Sequence, residues 1–206
     1  MAARLHEGDL PEGWVSGPAV AIDTETMGLV TGRDRLCVVQ LSRGDGAADV
    51  VRIAPGQREA PRLAALLDDP QVVKLFHYGR FDMASMATAF GVMAAPVYCT
   101  KIASKLARTY TDRHGLKDLV KELLGVEISK QQQSSDWGAP TLSEAQVAYA
   151  ASDVLYLHAL RERLDAMLTR EGRDAHARAA FAYLPDRVRL DLAGFEATDI
   201  FSHASP

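Results

Sequence analysis

Val20-Ala21-Ile22-Asp23-Thr24-Glu25 joins an unbroken apolar run to two acids spaced two apart. Consecutive β-favouring apolar residues suit a strand covered on both faces. Alternate strand residues share a face, so Asp23 and Glu25 leave the sheet together at the strand's end. Residues 36–41 form a second apolar run beyond the turn-rich stretch 28–35. A third short strand is expected near 48–53, because Gly44-Asp45-Gly46 before it supplies the turn chemistry of an antiparallel hairpin.

Farther along, the chain changes character. Leu63, Leu66 and Leu67 have helical spacing within 60–67, residues 72–76 suit a buried strand, and 81–90 returns to a helical pattern. Helices are expected over 100–109 and 116–124, the second closed by Gly125. After a polar loop at 129–136, Ser143-Glu144-Ala145-Gln146 has the capping-box pattern. One long helix is expected from there to about Arg170, where Gly172 interrupts it. Early strands followed by strand-helix alternation predict an α/β layer fold with a mixed sheet.

Length and composition bound what this fold can do. With 206 residues, 48% hydrophobic and 24% charged, the chain suits one catalytic domain over 1–206 that needs no stapling. Cys37 and Cys99 sit in apolar stretches without metal-ligand spacing, which favours buried thiols and a reducing compartment. Residues 1–10 lack a leader pattern and no uncharged run could span a bilayer, so a cytoplasmic protein without membrane association is expected. A net charge of −4 argues against a broad basic surface for long nucleic acid. If four acids bind metal, however, the remaining 27 − 4 = 23 acids balance the 23 basic residues. A phosphate-bearing substrate therefore stays open.

Taken singly, each acidic feature has a bland reading. Asp-x-Glu at a strand end is ordinary turn or capping chemistry. Asp82, in Phe76-His77-Tyr78-Gly79-Arg80-Phe81-Asp82, could cap a helix, although ligand sites in α/β folds gather at such strand ends. Tyr149 and Asp153 lie four apart and so share a helix face. Asp153 has small or apolar neighbours, where an unpaired carboxylate costs dearly and a cation would remove that cost.

Together, Asp23-x-Glu25, Asp82 and Tyr149-x-x-x-Asp153, in that order, resemble the DEDDy group of 3′→5′ exonucleases of the ribonuclease H-like, or DnaQ-like, fold. The DEDDh group carries His five residues before the last Asp, where this chain has Ala148. The resemblance implies phosphodiester hydrolysis with two divalent ions, Mg2+ or Mn2+, for which hard carboxylate ligands are suited. It implies that Asp23, Glu25 and Asp153 hold one ion, that Asp23 and, through water, Asp82 serve the second, and that Tyr149 orients or deprotonates the attacking water.

Arg33-Asp34-Arg35-Leu36-Cys37-Val38-Val39-Gln40, Cys99 to Ser104 and Ser135-Asp136-Trp137 are similar to parts of ribonuclease D, whose helical RNA-binding domains have no counterpart in this chain. Those stretches, with Tyr110 to Leu116, Ile128 to Trp137 and Leu190-Asp191-Leu192, resemble the nanoRNase C family over the whole length. That family implies a homo-octameric ring acting on dinucleotides such as pGpG. Candidate substrate contacts beside the acids are Thr24, Gly28, Leu29 and Met27, the last standing where the family is expected to carry a leucine wedge.

His77 and Tyr78 are candidates for base or sugar contact, with core packing as the alternative. Lys101, Lys105 and Arg108 share one helical face with Ser104 nearby, and Arg113, His114, Lys130 and Gln133 lie in polar loops. These are candidates for a terminal 5′ phosphate, with solvated surface as the alternative. Residues 184–206 carry apolar positions too few for their own core, which must cover this domain or a neighbouring subunit. Two other functions compete: trimming of longer RNA or DNA ends, and a non-catalytic nucleotide-binding scaffold.

Overall fold

The computed structural model describes residues 2–129, 131–132 and 134–203. Four strands come first: β1 (Ala2–Glu7), β2 (Ala19–Thr26), β3 (Leu36–Ser42) and β4 (Ala47–Arg52). Then follow α1 (Pro61–Asp68), β5 (Val73–Phe76), α2 (Gly79–Phe90), β6 (Val97–Cys99) and α3 (Thr100–Ala107). Helix α4 (Leu116–Leu119) widens into a π turn over Val120–Leu124, α5 (Glu144–Leu155), α6 (Leu157–Arg170) and α7 (Asp174–Leu190) follow, and a second π turn over Asp191–Phe195 ends the order. The sheet runs β1-β4-β3-β2-β5-β6, with β2–β3 and β3–β4 antiparallel and the other pairs parallel.

Central position explains the composition of β2 and β3. Val20, Ala21, Ile22, Val38, Val39 and Leu41 are fully buried, as in strands covered on both faces. The β3–β4 hairpin closes through Gly44 and Gly46, both at φ +81°, where side chains are strained. Within β5, Lys74 is wholly buried, and its Nζ donates to the carbonyls of Asp69, Val72 and Ala95, which occupy its three protons.

Four features depart from the sequence reading. β1 is an exposed edge strand without an apolar run, and it is fixed by Asp49, which accepts from Arg4, His6 and Trp14. β6 has only three residues, and α7 has a weak stripe with Pro185 inside it. The expected single helix beyond Ser143 breaks at Tyr156. Its buried positions Ala151, Val154, Leu157, Leu160 and Leu164 keep helical spacing across the break, so periodicity could not reveal it. The capping box at Ser143 and the left-handed Gly125 and Gly172 are present as expected.

The distal segment docks on α2. Asp191 receives the Arg80 guanidinium in an ion pair and also the Arg187 guanidinium at 2.6 Å. Leu192, Phe195, Ile200 and Phe201 remain exposed. No helix among the described residues is long and apolar enough to cross a membrane.

Candidate active site

Three elements converge at the ends of β2 and β5. Strand β2 supplies Asp23 and Glu25, and its register shifts between Glu25 and Thr26, a bulge of the kind that re-aims side chains. Helix α2 supplies Asp82 just beyond β5. Its first turn needs Gly79, because a Cβ there would lie 2.6 Å from the Phe76 Cβ. Tyr78 precedes it in the left-handed region at φ +66°, an uncommon conformation for a bulky residue. Helix α5, which crosses β2, β3 and β4, supplies Tyr149 and Asp153 one turn apart.

Ligand atoms of Asp23, Glu25 and Asp153 all lie within 4.8 Å of one another. Asp82 joins them in one cleft of about 480 Å³, where Thr24 Oγ1 donates to Asp82 Oδ1 at 2.6 Å. Gln40 Nε2 donates to Asp23 Oδ2 at 2.7 Å. Tyr149 also lines the cleft, one helical turn from Asp153 on α5.

The electrostatics are those of crowded, buried negative charge. Burial, followed by repulsion from Asp153 and then Asp82, pushes Glu25 up to about 9. Burial and then repulsion from Asp82, Asp153 and Glu25 hold Asp23 well above the usual carboxylate range. Asp82 is raised chiefly by burial, against the opposing hydrogen bond from Thr24. Burial and then the neighbouring Asp153, Glu25 and Asp23 raise Tyr149, so its phenol keeps its proton.

Such a group of hard oxygen donors fits divalent cations, which would neutralise the repulsion. In metal-free protein the cost rises with pH, because a carboxyl whose folded pKa exceeds its unfolded value is neutral in both states only at low pH. For Glu25 the cost accumulates from about 4.5 to about 9. Thermal unfolding of metal-free protein should therefore shift down by roughly 5 °C or more between pH 5 and pH 9. Mg2+ should recover more of that stability at pH 8 than at pH 5. Equal Mg2+ stabilisation at both values would count against cation binding by these acids.

The five expected residues Asp23, Glu25, Asp82, Tyr149 and Asp153 thus share one cleft, with Met27, Gly28, Leu29, His77 and Tyr78 also lining it. His77 is neutral, because burial and then Lys101 push it down to about 3. Thr100 Oγ1 donates to the Phe76 carbonyl and so accepts from His77 Nδ1 at 2.9 Å. This tautomer leaves Nε2 as an acceptor. Lys101 Nζ stands 4.5 Å over the Tyr78 ring at the cleft's edge.

The remaining candidates differ in placement. Thr24 lines the cleft as expected, largely buried, and gives its hydroxyl proton to Asp82. Arg108 is not a surface cation. Helix α3 ends at Ala107, so helical spacing no longer governs the next residue, whose backbone turns non-helical and carries the side chain inward. Its guanidinium is held by Glu122, Ser104 and the Arg113 carbonyl, and Ser104 Oγ also meets His114 Nδ1 at 2.8 Å. Lys101, Ser104, Lys105, Arg108, Arg113 and His114 lie outside the residues lining the cleft, Lys101 being the one stacked on a lining residue, Tyr78. Lys130 and Gln133 lie outside the described residues.

The sequence reading assigned no site role to Phe81, Ser134, Ser135 or Trp137, which line the cleft, or to Gln40 behind it. Trp137 packs on Tyr149 with ring centroids 6.0 Å apart. A buried tryptophan from an otherwise polar loop was the available signal.

Residues 9–169 match a family described as 3′-5′ exonuclease. Two solved structures of Brucella melitensis NrnC, one with bound Mg2+ and one bound to pGG, are 57% and 58% identical to this chain. Each match covers 99% of this chain and 100% of the other, with TM-score 0.95. Ribonuclease D of Gluconacetobacter diazotrophicus is 42% identical over 169 residues, which are 82% of this chain and 42% of that relative. The chain spans about two-fifths of the curated relatives it matches.

Proposed function

This chain belongs to the 3′-5′ exonuclease family, and on that premise we propose that it is a metal-dependent 3′→5′ exoribonuclease releasing nucleoside 5′-monophosphates from short RNA, above all dinucleotides such as pGpG. The meeting of Asp23, Glu25 and Asp153 within 4.8 Å carries the reading. Asp23, Glu25 and Asp153 would hold one divalent cation, Mg2+ or Mn2+, and Asp23 with Asp82 a second. Bound, the two ions would neutralise phosphate charge and favour both the attacking water and the departing oxygen.

The protein's own groups do the positioning. Tyr149, one helical turn from Asp153 on the same face, orients or deprotonates the water for attack on phosphorus. The bond to the 3′ oxygen of the preceding nucleotide breaks, that oxygen takes up a proton, and the phosphate stays on the released nucleotide. Met27, exposed at the cleft, is suited to wedge between two bases, while the His77 Nε2 acceptor suits a sugar hydroxyl. Lys101 is the cation best placed for a terminal 5′ phosphate. Short DNA is a further substrate on this reading.

One catalytic domain assembles as a homo-oligomer, an octamer by family resemblance, with Leu192, Phe195, Ile200 and Phe201 offered to a neighbouring copy. A cytoplasmic location suits the two buried free thiols, Cys37 and Cys99. Hydrolysis of two-, three- and seven-nucleotide RNA tests the substrate preference. The dinucleotide should be cleaved roughly tenfold or more faster than the seven-mer. Equal or faster cleavage of the seven-mer would favour trimming of longer ends.

A further inference from the structure

Gln40 lies at the centre of β3, wholly buried between Val39 and Leu41, where a branched apolar residue would serve the sheet at lower cost. It stands directly opposite Asp23 in the β2–β3 pairing, so the two side chains share a face. Its Nε2 donates to Asp23 Oδ2 at 2.7 Å. Its Oε1 is buried with no partner among the described residues. Half of a buried amide is thus left unsatisfied, which is a cost to folding. The single bond the amide does make goes to a residue of the acidic cluster.

We propose that Gln40 is a positioning residue for the cation site: its neutral N–H fixes one oxygen of Asp23 and leaves the other to the divalent ions, without cancelling the charge that attracts them. This rests on the reading of Asp23, Glu25 and Asp153 as cation ligands. Electrostatics explain the residue type. A lysine or arginine could also grip Asp23, but its positive charge would compete with the ions. An ionised glutamate would add to the repulsion and has no proton to donate. Groups that orient a ligating carboxylate typically change metal affinity by roughly 10–100-fold.

The test is calorimetric titration of Mn2+ into metal-free protein, without substrate, for the wild type, Gln40→Met and Gln40→Leu. The variants should bind Mn2+ roughly 10–100-fold more weakly. Their metal-free melting temperatures should change little, because losing the unsatisfied Oε1 offsets losing the donor to Asp23. In an Asp23→Asn background, Gln40→Met should weaken Mn2+ binding no further.

A folded variant with Mn2+ affinity within about threefold of wild type would overturn the proposal. So would a full further loss in the Asp23→Asn background. Failure of both variants to fold would assign the amide to the core instead, with the same consequence. If wild-type protein bound no Mn2+, the cation-site reading would fall first and this inference with it.

Discussion

Asp23→Asn is expected to lower dinucleotide hydrolysis on the order of 10³-fold while making the metal-free protein more heat-stable. The substitution keeps the shape and removes one negative charge from the point where Glu25, Asp82 and Asp153 also act on it. The asparagine oxygen would turn to the Gln40 donor, which leaves an NH₂ group facing the cation position and repelling it. Loss of a buried, raised carboxyl relieves repulsion above its unfolded pKa, so the melting temperature at pH 8 should rise. Single-turnover rates and thermal unfolding measure the two effects. Activity above a tenth of wild type would remove Asp23 from the machinery, and a lower metal-free melting temperature would deny the repulsion.

Tyr149→Phe is expected to cut turnover by roughly 10²–10⁴-fold with fold and metal affinity retained. Only the hydroxyl is lost, and the ring contact with Trp137 remains. Burial and three acids raise the phenol in metal-free protein, and cations on those acids would relieve that repulsion, so the hydroxyl can orient the water or take its proton. The drop should therefore appear in kcat, with KM and Mn2+ affinity little changed. A fully active, folded variant would assign water positioning to another group.

The sequence made these residues legible because their chemistry is local. Acids two apart at a strand end, one just past the next strand, and a Tyr-Asp pair one helical turn apart can each be placed from periodicity. Central strands and the helix around Asp82 were legible for the same reason, as unbroken apolar runs or helical spacing.

What sequence could not show depends on distant partners. β1 exists because Asp49, some 45 residues away, gathers Arg4, His6 and Trp14. Arg108 looked like a surface cation because helical spacing was carried one residue past the end of α3. Gln40 looked like any residue in an apolar strand, and only its pairing opposite Asp23 gives it meaning. That Thr24 also gives its hydroxyl to Asp82 depends on a partner 58 residues away.

Anomalous scattering from a crystal soaked with Mn2+ and a non-hydrolysable dinucleotide tests the gathering of charge most directly. Manganese should lie against the oxygens of Asp23, Glu25 and Asp153, with the scissile phosphate in the same cleft. A substrate-bound crystal with no manganese there, or with manganese held by other residues, would contradict the assignment of these acids as the catalytic cation site.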